Sequence, residues 1–119
     1  MVTEKDYADY AMTANLLDAF GCDSKKAAYC DFVELVYKMR LKLRENPENT
    51  SIISDIVMEM CKTKKIPRRF FYHSINCVIA PLLAADADFW ETLGGKKPRK
   101  MTAGYVALYL AQIFEKMSS

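Results

Sequence analysis

Apolar residues recur along this chain every three or four positions, the spacing that places them on one side of an α-helix. Glycine and proline number only four each, and most of them stand between the periodic segments. A chain of 119 residues is long enough for one domain with its own core. The pattern therefore predicts an all-α fold, a compact six-helix domain over residues 1–119 without internal repeats.

The predicted helices are bounded by residues that start or stop a helix. They cover residues 4–20, 25–46, 51–61, 66–80, 86–93 and 103–116. Candidate N-caps precede four of them: Thr3, Asp23 or Ser24, Asn49 or Thr50, and Thr102. Gly21 stops the first helix. Pro67 is tolerable only in the first turn of the fourth helix, and Pro81 is expected to end or kink it.

The third and fourth predicted helices have the outline of a helix-turn-helix over about residues 51–80, because a short basic turn, "KTK", joins two helices with apolar inner faces. The inward positions of the fourth helix are predicted to be Phe70, Phe71, Ser74, Ile75, Val78 and Ile79. The outward positions, here called the basic stripe, are Lys65, Arg68, Arg69, Tyr72, His73 and Asn76. The stripe contains no carboxylate, which favours contact with phosphate over simple solvation.

The net charge of the chain is only +2, which barely favours binding to nucleic acid. The clustering of basic residues favours it more. Arginine can pair with guanine, asparagine with adenine, and lysine with phosphate. The predicted base contacts are Lys65, Arg68, Arg69, Tyr72 and Asn76, and the predicted phosphate contacts are Lys62, Lys64, Lys96, Lys97 and Arg99. His73 lies at the edge of the stripe, where packing between helices explains it equally well.

Nothing positive in the sequence indicates an enzyme, a metal site or a cofactor. His73 and Cys77 lie one helical turn apart, but a Cys–His hydrolase needs a third orienting group and a zinc site needs two more ligands. Glycine-rich nucleotide-binding motifs are absent. The four cysteines form no CxxC pair and are expected to be buried, reduced thiols.

The sequence also bears on location. No apolar run approaches the ~20 residues of a membrane span, which predicts no membrane association. The start, "MVTEKDYADY", has charges and no apolar block, unlike a secretory signal. We therefore expect a cytoplasmic protein.

Three stretches resemble one family: "NLLDAFGCDSKKAAYCDFVELVYK", "DIVMEMCKTKKIPRRFFYHSI" and "MTAGYVALYLAQIF". They are similar to the C-terminal DNA-binding effector domain of the stage-zero sporulation response regulator, the bacterial master transcription factor of endospore formation. The resemblance covers about residues 14–116. The second stretch aligns without a gap and shares Asp55, Ile56, Thr63, Arg69, His73 and Ile75. In the third, Tyr105 and Val106 followed by Ala107 match the pattern of the family's last helix.

The resemblance implies a six-helix fold with residues 66–80 as the recognition helix in the major groove. It also implies binding to double-stranded DNA as tandem dimers, with the C-terminal helix contributing to the dimer contact, and Arg69 matches an arginine that the family uses on DNA. The chain departs from the family at Tyr72, which replaces a second recognition arginine, and at Arg68, which replaces an acidic residue. The departures extend to Ile66, Pro67, Lys62, Lys64 and Lys65. The family's target site is therefore not carried over.

The family places a phosphorylatable receiver domain before this domain, and here residues 1–13 stand in its place. Met1 followed by a native-looking acidic helix favours a complete small protein without a receiver. Two functions remain open. One is a sequence-specific transcription regulator. The other is a protein-interaction module on a degenerate helix-turn-helix scaffold, suggested by the bulk of Phe70, Phe71 and Tyr72. Apolar residues around the last helix, namely Tyr105, Leu108, Tyr109 and Phe114, either exceed what one core can cover or simply complete that core.

Overall fold

The computed structural model describes residues 4–19, 21–22, 25–26, 28–46, 52–85, 87–92 and 102–118. They form six α-helices: α1 (Glu4–Ala19), α2 (Tyr29–Glu45), α3 (Ile52–Lys64), α4 (Arg68–Leu83), α5 (Ala87–Thr92) and α6 (Ala103–Ser118). The described residues contain no strand, so the all-α, six-helix prediction is confirmed. The Cα radius of gyration is 13.5 Å, which matches the value of about 13.5 Å expected for a compact chain of this length.

The core is built around α2 and α6, which pack most extensively against each other. α2 also packs against α1, α3 and α4, and α6 packs against α3 and α4. Both central helices bury a broad apolar face, with these fully enclosed residues: Phe32, Leu35, Val36 and Met39 of α2, and Val106, Ala107, Leu110, Ala111 and Phe114 of α6. The central helices thus provide a fixed surface on which α3 and α4 lie.

The first two helices are separated by a longer turn than the pattern predicted. α1 ends at Ala19, and Gly21 follows with a φ of +94°, a left-handed conformation that favours glycine. α2 begins at Tyr29 rather than at Lys25, and the N–H of Tyr29 donates to the Lys26 carbonyl over 3.0 Å at the start of the helix. Phe20 and the predicted caps Thr3, Asp23, Ser24, Asn49 and Thr50 lie outside the described residues.

Two predicted boundaries in the centre of the chain are wrong. α3 continues through the "KTK" segment to Lys64, so the turn before α4 consists of residues 65–67. α4 continues through Pro81 to Leu83. Proline in a helix removes one donor to the carbonyl four residues earlier, but Pro81 lies in the last turn and is exposed, where water can take the place of the lost donor.

Candidate nucleic-acid interface

The turn between α3 and α4 is fixed by its backbone. Lys65 adopts a φ of +58°, and the N–H of Ile66 donates to the carbonyl of Cys61 over 3.1 Å. This is the hydrogen bond of a Schellman motif, with lysine in the left-handed position that usually holds glycine. Pro67 is extended, and its carbonyl accepts from the N–H of Phe71 at 3.1 Å. Because Ile66 packs against the core, the turn presents the start of α4 in one orientation.

Four basic side chains surround this turn and are exposed: Lys62, Lys65, Arg68 and Arg69. None of them forms an ion pair with a carboxylate in the part of the chain that the structure describes. α4 has no acidic residue in its first turn, and the positive end of its helix dipole lies at the same place. The start of α4 is therefore a concentration of positive charge without a counter-charge among the described residues.

Lys64 differs from these four, although it was predicted to contact phosphate with Lys62. Its Nζ lies 3.0 Å from Oδ1 of Asp31 and 3.4 Å from Oε2 of Glu34, both on α2. The hydrogen bond with Asp31 is the main cause of a raised pKa at Lys64. Lys38 extends this network from Glu34 to Glu59 of α3, with its Nζ 3.4 Å from Oε1 of Glu59. Lys64 therefore joins α3 to α2, and its charge is already compensated.

Tyr72 is half-buried, whereas the basic stripe was predicted to face outward along its whole length. Its ring meets that of Phe71 edge-on, with centroids 6.1 Å apart. Its hydroxyl lies 3.8 Å from where a Cβ would stand at Gly104 of α6. Burial raises the pKa of Tyr72, and the nearby charge of Arg68 acts in the opposite direction. The stripe is thus outward at Lys65, Arg68, Arg69, His73 and Asn76, all of which are exposed.

Phe70 is the residue that sequence reasoning missed. It was predicted to face inward, but its side chain is 54% exposed, and Cζ of Arg69 lies 5.0 Å from its ring centroid. Ser74, also predicted inward, is exposed. The buried face of α4 consists of Phe71, Ile75, Val78, Ile79 and Leu82. Phe70 is rotated about 100° from Phe71 and lies three residues before His73, a spacing that assigns it to the outward side.

A groove of about 530 Å³ lies beside the stripe, where α4 meets α3 and the start of α6. Its lining is mostly apolar and consists of Ile53, Tyr72, Asn76, Leu83, Thr102, Ala103, Gly104 and Tyr105. Gly104 allows the close approach of α6, because a Cβ there would lie 2.7 Å from Cγ2 of Ile53. Two predicted base-contacting residues, Tyr72 and Asn76, therefore also form one wall of a groove that accepts apolar groups.

The cysteines do not form a site. All four are free thiols; Cys22 is buried, which raises its pKa to about 12, and Cys61 is half-buried. Cys30 and Cys77 are exposed, so the prediction that every cysteine is buried is wrong for these two. No group of three or more metal-ligating side chains occurs within the described ranges. Lys96, Lys97 and Arg99, the remaining predicted phosphate contacts, lie outside those ranges.

The last helix was expected either to carry surplus apolar surface or to complete the core. Phe114 is fully buried, while Leu108 and Tyr109 are half-buried. Tyr109 packs edge-on against the buried Trp90 at a centroid distance of 5.7 Å. Tyr105 alone among the four is exposed, at 45%. Most of this surface therefore completes the core, and Tyr105, the exposed residue of the four, lines the groove.

Comparison of the chain with protein-family models, with curated proteins and with solved structures finds no match. Across the described residues, no helix combines the length and the apolar character needed to cross a bilayer.

Proposed function

We propose that the protein is a sequence-specific DNA-binding transcription regulator. In this proposal α3, the turn 65–67 and α4 form a helix-turn-helix, and α4 lies in the major groove of double-stranded DNA. The base edges are contacted by Lys65, Arg68, Arg69 and Asn76. Tyr72 also contacts a base edge, from the wall of the protein groove between α3, α4 and α6, and Lys62 contacts phosphate.

The observation that carries the proposal is a contrast between two sets of basic residues. On α2, the four basic residues Lys38, Arg40, Lys42 and Arg44 all lie within 4.0 Å of a carboxylate oxygen. Around the turn, Lys62, Lys65, Arg68 and Arg69 have no such partner among the described carboxylates. A protein that leaves like charges together on one rigid edge disfavours its own folded state slightly. Phosphates of a nucleic acid would supply the missing counter-charge.

The resemblance to the sporulation regulator's effector domain supports the same assignment, because Arg69 and His73 match it within the exposed part of α4. It extends the proposal to a tandem dimer on DNA. α6 is largely buried, so a dimer contact through this helix would use its exposed positions, Tyr105, Gln112, Lys116 and Met117. Sedimentation of the complex on duplexes with one and two sites tests the stoichiometry.

A second function is supported by the groove between α3, α4 and α6. Exposed Tyr105 and half-buried Tyr72 and Ile53 border it, and exposed aromatic residues with apolar surroundings are typical of protein-binding hot spots. In this alternative the chain is a protein-interaction module whose scaffold no longer contacts DNA. The two functions differ in the residues that they require, since the groove does not include Arg68 or Arg69.

The test is fluorescence anisotropy of the purified protein with random duplex DNA at two salt concentrations. Arg68 and Arg69 are both changed to Ala in the test variant. The matched control is Lys25→Ala with Lys26→Ala, which removes the same charge. Lys25 and Lys26 are exposed and belong to the connection between α1 and α2. Gly21 in this connection lies near Pro81, since a Cβ at Gly21 would be 4.0 Å from Cβ of Pro81. Pro81 is about 20 Å along α4 from its start.

We expect salt-sensitive binding by the wild type and the control, and its loss in the test variant. Equal weakening of the test variant and the control would mean that attraction by total charge, not the start of α4, holds the DNA. Equal binding by all three proteins would place the DNA contact elsewhere on the surface. No binding at low salt by the folded wild type would overturn the DNA-binding function. Substitution of Tyr105 and Ile53 should then be tested for loss of a protein partner.

A further inference from the structure

Phe70 is a large apolar side chain among the exposed basic residues around the turn 65–67. It is 54% exposed, and it directly follows Arg68 and Arg69 in the first turn of α4. Nothing in the packing requires a phenylalanine there, because Phe71 fills the core position of this turn with 1% exposure. The exposed part of the Phe70 ring is therefore available to a partner outside the chain.

The guanidinium of Arg69 lies over the ring of Phe70, with Cζ 5.0 Å from the centroid. This distance is within the range of a cation–π contact. The contact holds the arginine beside the ring and lowers the entropy that Arg69 would lose on binding. The guanidinium and the apolar ring therefore lie side by side, with a Cζ-to-centroid separation of 5.0 Å. That separation falls between one and two base-pair steps of DNA, which are about 3.4 Å each.

In the major groove, base pairs present one group that suits the guanidinium of Arg69 and another that suits the ring of Phe70. Guanine offers N7 and O6 to a bidentate arginine, and thymine offers its C5 methyl group to apolar side chains, phenylalanine among them. We propose that Phe70 is a specificity-determining residue that contacts a thymine methyl group, while Arg69 pairs with a guanine in the adjacent base pair. This inference rests on the proposed DNA-binding function and deepens it. The target site then contains a thymine next to a guanine, on the same strand or on opposite strands.

The experiment begins with selection of a binding site from random duplex DNA by the wild-type protein. Each thymine of the selected site is then replaced singly by uracil, which keeps base pairing and removes only the methyl group. Kd is measured by anisotropy for the wild type, Phe70→Ala and Met58→Ala. Met58 is the matched control, because it is equally exposed, at 55%, and lies on α3. Circular dichroism and thermal unfolding of the variants confirm that each is folded.

We expect one thymine at which uracil weakens wild-type binding about three- to five-fold, the effect of one buried methyl group. The same replacement should leave Kd unchanged in Phe70→Ala, and Met58→Ala should behave as the wild type. A guanine should stand beside that thymine. If the wild type binds DNA but no thymine responds, or if the response persists in Phe70→Ala, the inference about Phe70 is overturned while DNA binding stands. If the wild type binds no DNA, the proposed function itself fails.

Discussion

Nε of Arg40 lies 2.7 Å from Oε1 of Glu115, and this ion pair joins α2 to α6 at the edge of the core. The arginine is 1% exposed, and its Nη1 also donates to the hydroxyl of Thr13 on α1 at 2.7 Å. Arg44, one turn further along α2, donates to the same glutamate at 2.9 Å. Three helices therefore meet at one buried guanidinium whose charge Glu115 compensates.

The first prediction concerns that compensation. Glu115→Gln should lower the free energy of unfolding by roughly 2–4 kcal/mol, because it removes the carboxylate whose charge compensates the buried guanidinium of Arg40. The same change in an Arg40→Met background should cost less than about 1 kcal/mol, since only the partly exposed pair with Arg44 is then lost. Urea unfolding of the four proteins measures both values. Additive effects of the two substitutions would contradict the coupling.

The second prediction concerns acid. Burial of Glu115 alone would raise its pKa, but hydrogen bonds and charges from Arg44 and Arg40 outweigh it, so the pKa lies below its ordinary value of 4.5. A carboxyl group with a lowered folded-state pKa stabilises the fold above the unfolded-state pKa, and this stability is lost as pH falls through the folded-state value. Wild-type stability should therefore decline below about pH 4.5. Glu115→Gln should show a flatter acid limb when unfolding is followed by circular dichroism. An unchanged acid limb in the variant would place the titrating group elsewhere.

The third prediction concerns the approach of α6 to α3. Gly104→Ala should destabilise the protein by about 1–2 kcal/mol, because the added Cβ would lie 2.7 Å from Cγ2 of Ile53 and overpack the contact. In an Ile53→Ala background that methyl group is gone. Alanine then has the better helix propensity by up to about 1 kcal/mol, so Gly104→Ala should become neutral or stabilising. Thermal unfolding of the single and double variants measures the reversal. If the substitution costs the same in both backgrounds, the contact with Ile53 is not the cause.

The fold followed from periodicity, but details of the surface did not. The core positions Phe71, Ile75, Val78 and Ile79 of α4 were predicted because a three-and-four spacing specifies a buried face. The end of α3 was missed because lysines and a threonine suit a helix end and a turn equally well. The hydrogen bond from Ile66 to Cys61 that sets the turn is a tertiary outcome.

In the candidate interface, too, helix periodicity predicts some positions, and contacts between helices determine others. The exposure of Arg68, Arg69 and Asn76 followed from their positions on the helix, and the structure agrees. The apolar character of Phe70 predicts an inward side chain, but its angular position on the helix places it on the exposed side. Lys64 could not be separated from Lys62 by sequence, because its partners Asp31 and Glu34 lie about thirty residues earlier on another helix.

The fourth prediction concerns the thiols. At pH 8, Cys22 should resist a soluble thiol reagent until the protein unfolds, because burial raises its pKa to about 12 and excludes the reagent. Exposed Cys30 and Cys77 should react quickly, and half-buried Cys61 more slowly. A time course of thiol labelling should therefore show two fast groups, one slow group and one that reacts only in denaturant. Cys30→Ser with Cys77→Ser should remove the fast phase. A fast phase of four thiols would show that the surroundings of Cys22 and of Cys61 on α3 open readily.

The fifth prediction separates two neighbouring lysines of α3. Lys62→Gln should reduce the slope of log Kd against log salt by about 0.9, the effect of one lost phosphate contact. Lys64→Gln should leave the slope nearly unchanged, because its ammonium group already pairs with Asp31 and Glu34. The two variants have the same net charge, so each serves as the other's control, and the measurement is anisotropy over a salt series. Equal slope changes would mean that Lys64 leaves its α2 partners for phosphate on binding, and Asp31→Asn should then strengthen binding by freeing it.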